Sequence, residues 1–169
     1  MKRFAQEVRT AVELVNRSLE GNWGYSPMTE GELREMAQGL RYLVDPKLLL
    51  IAERAGEPVG VALAIPDLNL LIRRLRVRVG LLEPLELIAR FRLGRLPVAR
   101  AVAMGVARDR ASTVVGTVLM YRVYERLRSQ GVQEVDASWI LEDNHQMLLP
   151  LKRFGLAPDR TYRMYQKDL

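Results

Sequence analysis

The chain has 169 residues, 49% hydrophobic and 27% charged, enough for one domain with a substantial core and unlike a disordered or low-complexity polymer. Its 26 basic residues outnumber 20 acidic ones for a net charge of +6, which favours anionic partners, but aromatics are only 7% and no helix-turn-helix, finger or RNP signature appears, so nucleic acid is an unlikely partner. There is no cysteine and one histidine, His145. Disulfide frameworks, thiol nucleophiles and thiolate metal sites are therefore excluded, and a Ser-His-Asp triad or typical zinc site is hard to build. No apolar run approaches the ~20 residues that span a bilayer, so no transmembrane segment is expected. The start, Met1 to Glu7, lacks a signal-like apolar stretch. A cytoplasmic, metal-free protein is expected.

Phe4, Val8, Ala11, Val12, Val15 and Leu19 recur at helical spacing and predict a first helix over Arg3 to Leu19, with Gly21 at its C-terminal cap. Thr29 followed by Glu32 is the pattern of a capping box, opening a second helix over about 30–43 that Asp45-Pro46 ends. Leu48 to Glu53 and Val59 to Ile65 flank a short polar turn and predict a β-hairpin. Residues 67–96 read as two helical pieces parted by Gly80 and Pro84, and Val98 to Val106 as a third strand. Ser112 or Thr113 caps a long helix over about 114–130, with Val115, Leu119, Val123 and Leu127 on one face and Gly131 at its end. A fourth strand over Val135 to Leu141, a short helix after Asp143 and a last strand over Thr161 to Lys167 follow. A sheet that begins antiparallel and ends in a strand–helix–strand unit is a mixed α/β (α+β) layer, here in one domain over residues 1–169.

That element order spans nearly the whole chain. Together with Trp139-Ile140-Leu141-Glu142-Asp143-Asn144 running into Phe154-Gly155-Leu156, it resembles the GNAT superfamily of acyl-CoA-dependent N-acyltransferases. The stretch Asn22-Trp23-Gly24-Tyr25-Ser26-Pro27-Met28-Thr29-Glu30 is similar to a bacterial acetyltransferase-like branch whose members are commonly about twice as long, this chain resembling their C-terminal part. The resemblance implies a GNAT-like mixed sheet flanked by helices. It also implies acetyl-CoA or another acyl-CoA as cosubstrate and a small-molecule or peptide amine as acceptor.

In the family, the strand before the long helix splays from its neighbour and offers its backbone to the pantetheine arm; that strand end falls on Met104-Gly105-Val106. The phosphate loop falls on Ala111-Ser112-Thr113-Val114-Val115-Gly116. The resemblance thus assigns Gly105, Val106, Arg110, Ser112, Thr113, Gly116, Thr117 and Asn144 to the cofactor, with backbone amides of residues 112–117 around the pyrophosphate. Only Gly116 matches the family's loop pattern. Val114 stands at a family glycine, where its branched Cβ crowds an approaching phosphate. Apart from any resemblance, a helix N-terminus presents unpaired N–H groups and the positive end of its dipole.

An amine must lose a proton before it attacks a thioester, and Glu142 is the expected base, its bland alternative being a first-turn charge for the following helix. The family's acidic tyrosine, seven residues after the helix-opening Asn144, is Leu151 here, and Pro150 is expected to interrupt that helix. Tyr162 is therefore the expected general acid, ahead of Tyr165. His145 reads as a surface residue. Trp23, Tyr25 and Trp139 are either an acceptor pocket or core aromatics. Two alternatives stay open: a catalytically degenerate GNAT-like binding module and, more weakly, a basic nucleic-acid-binding domain.

Residues 67–99 hold seven arginines against three acids, +4 of the +6. Leu68, Leu71, Ile72, Leu75 and Val79, then Leu85, Leu87, Ile88 and Phe91, recur at helical spacing. Two apolar stripes exceed what one core needs, so a homodimer with this insert at its interface is expected, against the rival of an amphipathic helix on acidic lipid or nucleic acid.

Overall fold

In the computed structural model, helix α1 runs Lys2–Leu19 and buries Val8, Ala11 and Val12, which helical spacing marks, together with Leu14, which it does not. The structure describes residues 2–29, 31, 32, 35, 38, 39, 45–67, 69, 97–107, 112–137 and 139–167, which divide into two units, Met1–Trp139 and Ile140–Leu169. The arginine-rich insert, apart from Asp67 and Asn69, lies outside the described residues, as do the Phe4 side chain and Arg110. Of the second helix, Gly31, Glu32, Glu35, Gln38 and Gly39 are described, all helical. Its capping box is formed: the Thr29 N–H and hydroxyl donate to Glu32 Oε2 at 2.8 and 2.7 Å, and Glu32 N–H returns to Thr29 Oγ1 at 3.3 Å.

The first unit carries a four-stranded sheet in the order β1-β2-β3-β4, with β1 Leu49–Arg54, β2 Glu57–Pro66, β3 Val98–Val106 and β4 Glu134–Asp136. β1–β2 and β2–β3 are antiparallel, β3–β4 parallel. The hairpin closes through Ala55 and Gly56, both in the left-handed region at φ 53° and 85°. Two such residues give the twist that a two-residue hairpin turn requires.

Alternation along β2 distributes the core to both faces of the sheet. Val61 packs with Ala11 and Leu14 of α1. Ala62 and Ala64, with Ala99 of β3, pack with Leu119, Val123 and Leu127 of α2, which runs Ser112–Ser129. At Gly60, α2 comes so near that a Cβ would stand 2.9 Å from Val115 Cγ1. Gly131, at φ 82°, ends α2 with its N–H donating to Arg128 O at 3.0 Å and Val132 N–H to Leu127 O at 3.1 Å, a double-bonded C-cap. The Gln130 side chain donates to Asp45 Oδ2 at 2.7 Å and Arg126 donates to the Lys47 carbonyl. Both hold the short 3-10 turn Pro46–Leu48, whose Leu48 is fully buried.

Three expectations are corrected. β4 ends at Asp136, so Leu141 and Glu142 lie beyond it rather than within or at the end of a strand. Residues 161–167 form no strand; the alternating Tyr162 and Met164 supply strand propensity, which is realised only where a pairing edge exists. Pro150 does not interrupt its helix, since α3 runs His145–Arg153 through it. Proline removes one donor near the end of this short helix, and Phe154 N–H still reaches the Pro150 and Leu151 carbonyls at 3.1 Å.

Candidate functional site

β3 pairs with β2 as far as Val106, opposite Gly60, but with β4 only at Val98, Ala99 and Arg100. From Ala101 to Val106 the edge of β3 away from β2 has no strand partner among the described residues, where its alternate N–H and C=O groups find no ladder to join. The last paired rung is locked by Arg100 and Asp136, register partners whose side chains form an ion pair at 3.1 Å. β4 ends at that rung, while β3 continues to Val106.

The open edge leads toward α2. Val106 at its end meets that helix near Gly116, where a Cβ would sit 3.6 Å from Val106 Cγ2 and 3.5 Å from Met104 Cε. Both are ordinary contacts, so the packing does not demand glycine at 116. The first turn of α2 contains no acidic residue, leaving its positive end uncompensated from within the turn. Ser112 is buried and Thr113 exposed. Thr117 donates its hydroxyl to the Thr113 carbonyl at 2.8 Å, which occupies that proton. Val114 is 65% exposed, its side chain standing in solvent at the helix entrance. Gly105 has a packing role of its own: a Cβ there would lie 2.5 Å from Ser18 Oγ and 3.1 Å from Leu14 O of α1.

In the second unit, Asn144 is the N-cap of α3, its Oδ1 accepting from Met147 N–H at 3.2 Å. Glu142 lies in the exposed turn before it and its Oε2 accepts from the Arg163 guanidinium at 2.7 Å. Arg163 follows Tyr162, whose ring is 70% exposed. Nothing in the sequence marks Arg163 as the partner of a glutamate 21 positions away. His145 is exposed in the first turn of α3.

Asn16 of α1 holds the stretch that follows the helix. Its Oδ1 accepts from the Tyr25 hydroxyl and from Met28 N–H, the latter at 3.2 Å. Burial holds the Tyr25 phenol above its ordinary pKa. Trp23 remains exposed, and Trp139 is exposed too, so neither is a core aromatic. Among the described residues no group of three or more His, Asp or Glu side chains is placed to hold a metal, and no helix is long and apolar enough to cross a membrane.

No family model matches the sequence. The whole chain aligns with the bacterial ceramide synthase of Caulobacter vibrioides, 31% identical over 173 residues, and covers 45% of that protein. The chain spans about half the length of the curated relatives it matches, corresponding to a C-terminal part of them. Among solved structures it is similar to the aminoglycoside 6'-N-acetyltransferase AAC(6')-IG of Acinetobacter haemolyticus, with a TM-score of 0.58, 16% identity and coverage of 97% of this chain and 94% of that one. It is also similar to AAC(6')-Iy in complex with the bisubstrate analog CoA-S-monomethyl-acetylneamine, with a TM-score of 0.59, 14% identity and coverage of 97% and 93%. A four-stranded mixed sheet flanked by helices, matched end to end in this way, is the GNAT acetyltransferase fold. The chain has that fold.

Proposed function

We propose that the chain is an N-acyltransferase domain that takes an acyl group from an acyl-CoA thioester and delivers it to an amine. The observation that carries this reading is the open edge of β3 from Ala101 to Val106, leading to the carboxylate-free N-terminus of α2 within a GNAT fold. Those residues fit the cosubstrate's chemistry. An open strand edge pairs with amide groups of a pantetheine arm, and a helix N-terminus receives phosphates. When bound, the thioester supplies an activated acyl carbon; the acyl–sulfur bond breaks as the nitrogen–carbon bond forms. Gly105 and Val106 are the edge contacts, and Ser112, Thr113, Gly116 and Thr117 surround the phosphate end; for Arg110 and Asn144 a cofactor role rests on the family resemblance alone. The family resemblance implies a base and an acid: Glu142 as base, through Oε1 since its Oε2 is engaged by Arg163, and Tyr162 as the acid for the departing thiolate. With no cysteine in the chain, transfer passes through no acyl-cysteine enzyme.

The acyl donor is sharpened by the stronger sequence likeness. A ceramide is the fatty amide of a long-chain amino alcohol, and the 31% identity to a ceramide synthase favours a long-chain donor and a lipid amine over acetyl-CoA. Release of CoA thiol tests both levels. Since the protein contributes no thiol, every thiol detected is product. Turnover with a fatty acyl-CoA and a long-chain amino alcohol is expected, and turnover with acetyl-CoA alone would restore an acetyl donor. Absence of thiol release with either, together with no melting shift in millimolar CoA, would leave the chain as a degenerate binding module. At a hundredfold excess of CoA over its Kd, the shift corresponds to about 2.7 kcal/mol.

A further inference from the structure

From Lys152 in the last turn of α3, through the turn at Gly155, to Lys167, every side chain is exposed to solvent. Five large apolar groups stand in that stretch: Phe154 at 51% exposure, Leu156 at 57%, Tyr162 at 70%, Met164 at 68% and Tyr165 at 92%. Five basic residues, Lys152, Arg153, Arg160, Arg163 and Lys167, alternate with them against one carboxylate, Asp159. Arg160 is engaged by Asp159 at 3.4 Å and Arg163 by Glu142 at 2.7 Å. Among the described residues no carboxylate pairs with Lys152, Arg153 or Lys167.

Apolar side chains concentrated in so short an exposed stretch mark a surface that meets something other than water. The charge decides among occupants. Protein-interface cores are depleted of charged residues, lysine among them, whereas here five cations stand among five apolar groups against one carboxylate. Nucleic-acid stacking would use the tyrosines, but Leu156 and Met164 have no flat face to stack. Lipid accommodates all of them. Tyrosine rings settle at the headgroup level, aliphatic side chains enter below it, and lysine and arginine stems lie along the apolar layer while their heads reach phosphate.

We propose that residues 152–167 dock the protein on an anionic lipid surface. The inference does not require acyl transfer, because its readout is vesicle binding with no donor present. The test is co-sedimentation of the full chain with vesicles of phosphatidylcholine alone or mixed with phosphatidylglycerol, across a range of salt. Binding to the mixed vesicles only, weakened by salt, is the expected result. K152Q/R153Q should lower it roughly 20- to 30-fold, about fivefold per charge, and M164S/Y165S should lower it with the charges kept. Circular dichroism of each variant verifies that it is folded. Several outcomes would overturn the proposal: no binding to anionic vesicles at low salt, binding indifferent to both variants, a salt-resistant dimer lost in M164S/Y165S, or preferential binding of a single-stranded oligonucleotide that both variants abolish.

Discussion

Gly105 and Ser18 stand so close that no side chain fits between strand and helix: a Cβ on Gly105 would lie 2.5 Å from the serine hydroxyl oxygen. Gly105→Ala should therefore destabilise the protein by about 1–3 kcal/mol through overpacking. Part of that loss should return in Gly105→Ala/Ser18→Gly, although the Leu14 carbonyl, 3.1 Å from the same Cβ, keeps the rescue incomplete. Urea denaturation of the two variants measures both effects. Stability unchanged in Gly105→Ala would contradict the overpacking argument.

The entrance of α2 invites a paired experiment. Val114→Gly removes a solvent-facing branched side chain from the first turn and should tighten CoA binding, at a cost to the helix of up to about 1 kcal/mol. Gly116→Ala adds a methyl where the nearest atoms are at ordinary contact distance, so it should stabilise the fold by up to about 1 kcal/mol. Calorimetric CoA titrations and melting curves on both variants separate the two effects. Weaker CoA binding by Val114→Gly would contradict the crowding argument.

Ala55 holds a left-handed φ of 53°, a conformation costing an L-residue with a Cβ about 1–2 kcal/mol. Asparagine tolerates it better, so Ala55→Asn should raise stability by about 0.5–1 kcal/mol. A lower melting temperature in this variant would show that the turn is not of the type the dihedrals indicate.

The Thr29 backbone N–H, then its hydroxyl, donate to Glu32 and hold its carboxyl below the ordinary pKa. A lowered folded-state pKa makes a contribution that is complete above the unfolded value and lost as pH falls through the folded one. Helix signal by circular dichroism should thus show a step at acid pH, below the ordinary carboxylate range, that Glu32→Gln removes. An identical acid profile in that variant would assign the step to other carboxylates.

Elements whose signal is local were readable from the residues. β3 at Val98–Val106 is legible because an apolar run stands between Pro97 and the charged Arg108-Asp109-Arg110, and the Thr29–Glu32 box because both partners lie within one turn. The hairpin followed from its Gly-containing turn. What failed was non-local. The strand expected over 161–167 depended on an edge that pairs with it, and the length of β4 on where β3 stops pairing. The open edge of β3 came only from the resemblance; no feature of Ala101 to Val106 announces a missing neighbour. The roles of Gly105 and Gly60 against α1 and α2 were likewise invisible, because close approach of a helix belongs to the tertiary packing rather than to the glycine.

The unpaired edge of β3 beyond Arg100 also bears on self-association. Ala101 to Ala107 is a run of seven uncharged residues, and its outer edge, with Val102 half-exposed, is a template onto which a second strand can add. A cosubstrate lying along that edge would cap it. Ligand occupancy and colloidal stability are then coupled, and purified protein stored without CoA should turn cloudy sooner than protein stored with it, by light scattering at equal concentration. A lysine at Val102 should delay that clouding in the ligand-free protein, since a charge on an edge strand blocks the approach of another.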